Sequence, residues 1–191
     1  MTDIKKYYIE PESLPELFPT HKHEPAFWEV LGRTVATFGF LEEILGKAIF
    51  ALTATKPYSE EDIQAAYEAW YKKLEKALTD QLSYLTKSYD KSLREHPQST
   101  ITNIDELIEQ LKEAAKIRNV ICHGSWRTPD DSGASIPHFV NFEKMIFDTP
   151  IDKDFLLQVQ KHVSELICAV INTVTQMGFQ FPGSSGPGKP I

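Results

Sequence analysis

The chain has 191 residues, 41% hydrophobic and 25% charged, proportions that suit one globular domain with its own core. Its 20 Lys and Arg against 27 Asp and Glu leave a net charge of −7. That balance excludes a generic polyanion binder, since nonspecific nucleic-acid affinity comes from a basic surface, but leaves room for a small local basic site.

Residues 1–24 contain three prolines and little periodicity, which predicts an irregular N-terminal arm. They are polar and carry no secretory apolar stretch. With only Cys122 and Cys168 and no apolar run near the ~18 residues of a membrane span, the expectation is a cytoplasmic protein with reduced thiols and no membrane partner.

A helical domain is predicted over 25–180. Proline at the favoured first position opens a helix from Pro25 to about Ala54, with Phe27, Val30, Leu31, Thr34, Phe38, Leu41, Leu45, Ile49 and Leu52 on one face. Ser59, followed by Glu60, Glu61 and Asp62, reads as the cap of a second long helix reaching about Leu93. Its inward stripe is Ile63, Tyr67, Trp70, Leu74, Ala77, Leu82, Leu85 and Tyr89. Asn103 or Thr102 can cap a third helix from about Ile104 to Cys122, ended by Gly124. Residues 125–150 alternate turn signals with short β-prone pieces and predict a small hairpin, with Pro137 keeping one strand short or at an edge. The last helix runs from about Asp152 to Met177, with Leu156, Val159, Val163, Leu166, Val170, Val174 and Met177 inward, and 181–191 reads as a flexible tail. The class is all-α: an antiparallel bundle of four main helices with a β-hairpin before the last.

The stretch "IRNVICHGSW" at 117–126 departs from this plain pattern. With about 100° per residue and Leu111 at the centre of the buried face, Ile104, Leu107, Ile108, Ala114, Ala115 and Cys122 fall within about 60° of it. Arg118 falls within about 20°, in the middle of the apolar stripe. Lys112, Lys116, Asn119 and His123 form a polar flank about 80–140° away. A guanidinium in an apolar face must be paired, face a ligand, or sit where the bundle opens. Glu42 is the partner the wheel offers, lying about 40° from Phe38 inside the first helix's own stripe. Ile117, Val120 and Ile121 make this helix end apolar beyond what one core face needs, which predicts a subunit interface. The same residues also admit a purely structural reading. A cation in a last turn complements the macrodipole, and His123-Gly124 suits a C-terminus with glycine in the left-handed position.

"RNVICHG" resembles the signature of the HEPN superfamily, in which an arginine is followed four to six residues later by a histidine near a helix end, often with asparagine after the arginine. Arg118, Asn119 and His123 match it, over residues 117–126 only; the helical layout of 26–178 is compatible but generic. The resemblance implies a metal-independent endoribonuclease, needing no cofactor, in which two subunits bring two motifs into one cleft on single-stranded or structured RNA. It also implies a setting in toxin–antitoxin or anti-phage defence systems, with an antitoxin or defence protein as a further partner. The alternative is a non-catalytic module of that type binding a nucleotide, RNA or protein.

The residue chemistry fits the catalytic version. Histidine, with an unperturbed pKa near ~6.5, suits removal of the 2′-hydroxyl proton at neutral pH. A permanently charged planar guanidinium suits the charge that builds on the phosphoryl group. Asn119 would hold the imidazole or a phosphate oxygen, Glu42 would orient Arg118, and Lys112 and Lys116 would support phosphate binding. The partner's histidine could protonate the leaving 5′-oxygen. Cys122 reads as a core residue, His21-x-His23 has no second ligand pair for a metal, and Trp126 and Phe139 read as aromatics covering the bundle rather than base-stacking platforms.

Overall fold

A computed structural model describes residues 5–65, 67, 68, 71, 81–186, 188 and 190. It is mainly helical. A 3-10 turn, Pro11–Ser13, precedes helices α1 (Pro25–Ala54), α2 (Leu82–Arg94), α3 (Ile104–His123) and α4 (Lys153–Thr175). Helix α1 packs against all three of the others, and α3 also touches α2 and α4. The apolar stripes drive this packing. On α1, Phe27, Leu31, Phe38, Leu41, Leu45, Ile49 and Leu52 are buried as their spacing predicts, and each large apolar side chain contributes about 1.5–3 kcal/mol relative to exposure. Leu85, Tyr89 and Leu93 of α2 join the same core with Leu156, Val163, Leu166, Val170 and Val174 of α4. The buried Tyr89 hydroxyl is satisfied by Thr173 Oγ1 at 2.9 Å, which ties α2 to α4.

Helix ends follow their capping chemistry unevenly. Asp152 caps α4 by accepting from the Phe155 amide at 2.7 Å. Asn103 occupies the same position before α3 but makes no side-chain cap bond. The Ser59 hydroxyl turns to the Asp62 carboxylate at 2.5 Å instead of capping an amide.

The expected second helix is not continuous to Leu93. Gln81 is extended, with φ −72° and ψ 157°, and α2 starts afresh at Leu82. Periodicity alone does not mark such a break when the sequence keeps its apolar residues at the same spacing on both sides. Ile63 and Tyr67 are exposed rather than inward, while Trp70, Leu74 and Ala77 lie outside the described residues.

The expected hairpin does not form, and no strand occurs among the described residues. Three isolated antiparallel bridges hold the segment between α3 and α4: Ser125 with His138, Ser135 with Ile151, and Val140 with Ile146. Pro129 and Pro137 lack the amide a ladder needs, and the Asp130 carboxylate takes the amides of Ser132 (2.9 Å) and Ala134 (3.1 Å). Pairing therefore stops after single steps.

The segment folds back over the end of α3, and the arm helps to hold it. His23 stacks on Phe27, ring centres 4.1 Å apart, and its Nε2 lies 3.0 Å from the Arg127 carbonyl and 3.2 Å from Ser135 Oγ. Trp126 meets Phe27 edge-on at 5.0 Å, so it covers the bundle as expected, and Phe139 packs on the core likewise. Phe181, the first residue of the expected flexible tail, is buried.

Candidate active site at the end of helix α3

Arg118 sits where the wheel places it, on the core side of α3, with its side chain only 21% exposed. Its Nε lies 3.5 Å from Oε1 of Glu42 on α1, whose side chain is 25% exposed. The two misplaced charges thus meet. The contact is a charge pair rather than an aligned hydrogen bond, since Glu42 Oε1 is buried and accepts no hydrogen bond. Glu42 holds the guanidinium at its Nε side and leaves the Nη atoms for other work.

Arg118 Nη1 lies 3.5 Å from Asn119 Oδ1 and 3.4 Å from His123 Nε2. Side chains five positions apart on a helix diverge by about 140°, so only the length of the arginine closes the gap. A guanidinium can only donate, so Nε2 of His123 is the accepting nitrogen and the ring proton is assigned to Nδ1. Both contacts are long and easily exchanged for a better acceptor. His123 is exposed and, among the described residues, held by no backbone carbonyl. The structure thus brings Arg118, Asn119, His123 and Glu42 together.

It does not bring in the lysines. Lys112 pairs with Glu109 at 3.1 Å and Lys116 with Glu113 at 2.5 Å, each within its own helix. The Glu113 carboxylate, with smaller help from Glu109 and Glu143, holds the Lys116 ammonium above its ordinary pKa. An i,i+3 carboxylate is simply nearer than a residue a further turn along.

Three other expectations need correction. Cys122 is exposed, not core; partial screening from water pushes its thiol pKa up, against the opposing pull of the Arg118 charge. Val120 and Ile121, expected at a subunit interface, are 4% and 3% exposed in this chain's own core, and Ile117 is half-buried. The wheel assumes one buried face, whereas this helix end buries more than one side and has Pro137 packed against Gly124. Gly124 is not left-handed either: its φ is −70° and ψ 140°. Glycine is required there by crowding, because an added Cβ would lie 2.5 Å from the Val120 carbonyl oxygen and 2.8 Å from Pro137 Cβ.

His138 was not expected near the motif. Its backbone exchanges two hydrogen bonds with Ser125, at 3.0 and 2.8 Å, which sets it beside the residue two positions after His123. The alternation Pro137 inward, His138 outward, Phe139 inward was legible, but the pairing register was not. Among the described residues no group of three His, Cys, Asp or Glu is placed to hold a metal ion, and His23 of the His21-x-His23 pair is engaged with Arg127 and Ser135. No described helix is long and apolar enough to cross a membrane. Comparison of the chain with protein-family models, with curated proteins and with solved structures finds no match.

Proposed function

We propose that this chain is a metal-independent endoribonuclease of HEPN type, acting as a homodimer in a toxin–antitoxin or anti-phage setting. The observation that carries the reading is the 3.4 Å approach of Arg118 Nη1 to an exposed His123 Nε2. On this reading the four helices form the antiparallel bundle of such a domain.

The geometry supports a transesterification. An RNA phosphate is a stronger acceptor for a guanidinium than a neutral imidazole, since charge-assisted bidentate pairs are about twice as strong as neutral hydrogen bonds. Phosphate binding therefore draws the Nη atoms from His123 and leaves Nε2 free to take the 2′-hydroxyl proton. The 2′-oxygen attacks phosphorus, Arg118 balances the added charge on the non-bridging oxygens, and the bond to the 5′-oxygen breaks. The products are a 2′,3′-cyclic phosphate and a 5′-hydroxyl. Glu42 fixes the guanidinium during this exchange, and Asn119 limits its swing.

Dimerisation needs a surface other than Val120 and Ile121. Val140, Phe142, Met145 and Ile146 are exposed on one turn, held by the Asn141 side chain accepting from the Met145 amide at 2.8 Å. The charge of Glu143 on that turn reaches Lys116, so the turn lies on the same side of the molecule as the polar flank of α3. A second copy docked there would set the two motifs near one another.

A second reading is favoured by the neutralised lysines: a non-catalytic module of the same type that binds a nucleotide, RNA or protein partner. Incubation of purified protein with mixed RNA in EDTA separates them. Cleavage with cyclic-phosphate ends, abolished in folded His123→Ala and Arg118→Ala, is expected. Proton transfer alone is typically worth ~10²–10⁴ in rate, so the loss will be plain. Chelator-sensitive cleavage, or full activity in the histidine variant, leaves the binding module standing.

A further inference from the structure

The transesterification needs an acid for the leaving 5′-oxygen as well as a base for the 2′-hydroxyl. Arg118 cannot supply it, because a guanidinium does not release its proton in proteins. Asn119 does not titrate, and His123 is occupied by the proton it has just accepted.

We propose that His138 is the second catalytic histidine of this site, protonating the leaving oxygen in the same subunit that carries His123. The inference rests on the ribonuclease reading. Its structural basis is the two-bond pairing of Ser125 with His138. Directly opposed residues of such a pair stand about 5.5 Å apart at Cα with side chains on the same side. Gly124 is extended between His123 and Ser125, so their Cα atoms are separated by no more than about 7 Å. The two histidine Cα atoms are therefore at most ~12 Å apart.

The direction of the side chains follows from what their neighbours bury. Pro137 is buried against Gly124, and Phe139 and Trp126 pack on the core. His138 and Ser125, alternating with them, are left exposed on the outer face beside the end of α3. The His138 ring makes no hydrogen bond among the described residues, so its proton is not committed elsewhere. In-line displacement places attacking and leaving oxygens on opposite sides of phosphorus, so acid and base must face each other across the substrate rather than touch. Two histidines carried by separate segments, with Cα atoms at most ~12 Å apart, can meet that demand.

The step balances. One proton moves from the 2′-hydroxyl to His123, one moves from protonated His138 to the 5′-oxygen, an O–P bond forms and another breaks. Hydrolysis of the cyclic product in the reverse sense restores both rings.

The test uses two substrates for the whole protein: RNA, and uridine 3′-(4-nitrophenyl phosphate), whose leaving group departs without a proton. His138→Ala and His138→Gln, checked for native circular dichroism, are expected to lose ~10²–10⁴ in rate on RNA yet keep the wild-type rate on the ester. His123→Ala should lose rate on both. Wild-type RNA cleavage by both His138 variants overturns the inference and leaves the ribonuclease reading intact, with the partner's histidine as acid. Equal losses on both substrates also overturn it, because His138 would then be structural. A wild-type protein inert on both substrates removes the reading itself, and the inference with it.

Discussion

Replacing Gly124 with alanine tests how the end of α3 is built. The new Cβ would sit 2.5 Å from the Val120 carbonyl oxygen and 2.8 Å from Pro137 Cβ, both far inside van der Waals contact. Neither neighbour is a flexible side-chain end. The carbonyl belongs to the last turn of α3 and accepts the Gly124 amide at 2.8 Å, and the proline ring precedes the bridge between Ser125 and His138. Relief requires moving the segment off the helix end. Forced overpacking costs about 1–3 kcal/mol. Weakening the Gly124 amide bond and the two bridge bonds, each worth about 1 kcal/mol net, brings the expected loss to about 2–4 kcal/mol. For a chain of this size that corresponds to a fall in Tm of roughly 4–16 °C. Urea denaturation and calorimetry of Gly124→Ala and Gly124→Asn provide the measurement. A left-handed cap would tolerate asparagine; crowding does not, so both variants should be destabilised. Gly39→Ala is the control: it lies inside α1 with nothing within 4 Å of the added Cβ, and should stabilise by up to about 1 kcal/mol. Wild-type stability in Gly124→Ala would refute the crowding argument and the close packing of the returning segment on α3.

His96 gives a pH dependence. It is buried, its Nδ1 accepts the Gln98 amide at 3.2 Å, and its Nε2 faces Thr55 Oγ1 at 3.1 Å. Burial, and secondarily Lys56, lowers its folded pKa below the usual 6.5, so the unfolded chain binds the extra proton. Its contribution is therefore whole above about 6.5 and is lost as pH falls; urea midpoints between pH 7.5 and 5 should show a decline that His96→Gln lessens, and identical slopes would count against it. Phe142→Asp places a charge on the fully exposed ring position and is expected to convert the proposed dimer to monomer by light scattering without changing Tm beyond a degree or so. A wild-type monomer at tens of micromolar, roughly a protein-interface concentration scale, would remove that surface as the interface.

Local periodicity was sufficient for α1, α3 and α4, though not for the start of α2, because burial of one stripe is a property each segment carries in its own sequence. Pro25 as the start of α1, the inward faces of α1, α3 and α4, and the meeting of Glu42 with Arg118 all follow from spacing at 3.6 residues per turn. Two oppositely charged residues displaced into facing apolar stripes have few other places to go. What depended on the fold was everything decided by a second surface or a register. Val120 and Ile121 are buried and Cys122 is exposed, the reverse of the environments expected of them, because which sides of a helix end are covered is set by the rest of the chain rather than by its own wheel. Gly124 answers to the Pro137 ring rather than to its own φ. Lys112 and Lys116 left the site because glutamates one turn away compete for them. His138 stands beside the motif through a single antiparallel bridge whose register no local pattern encodes, since sliding the pairing by one residue would turn it to the other face.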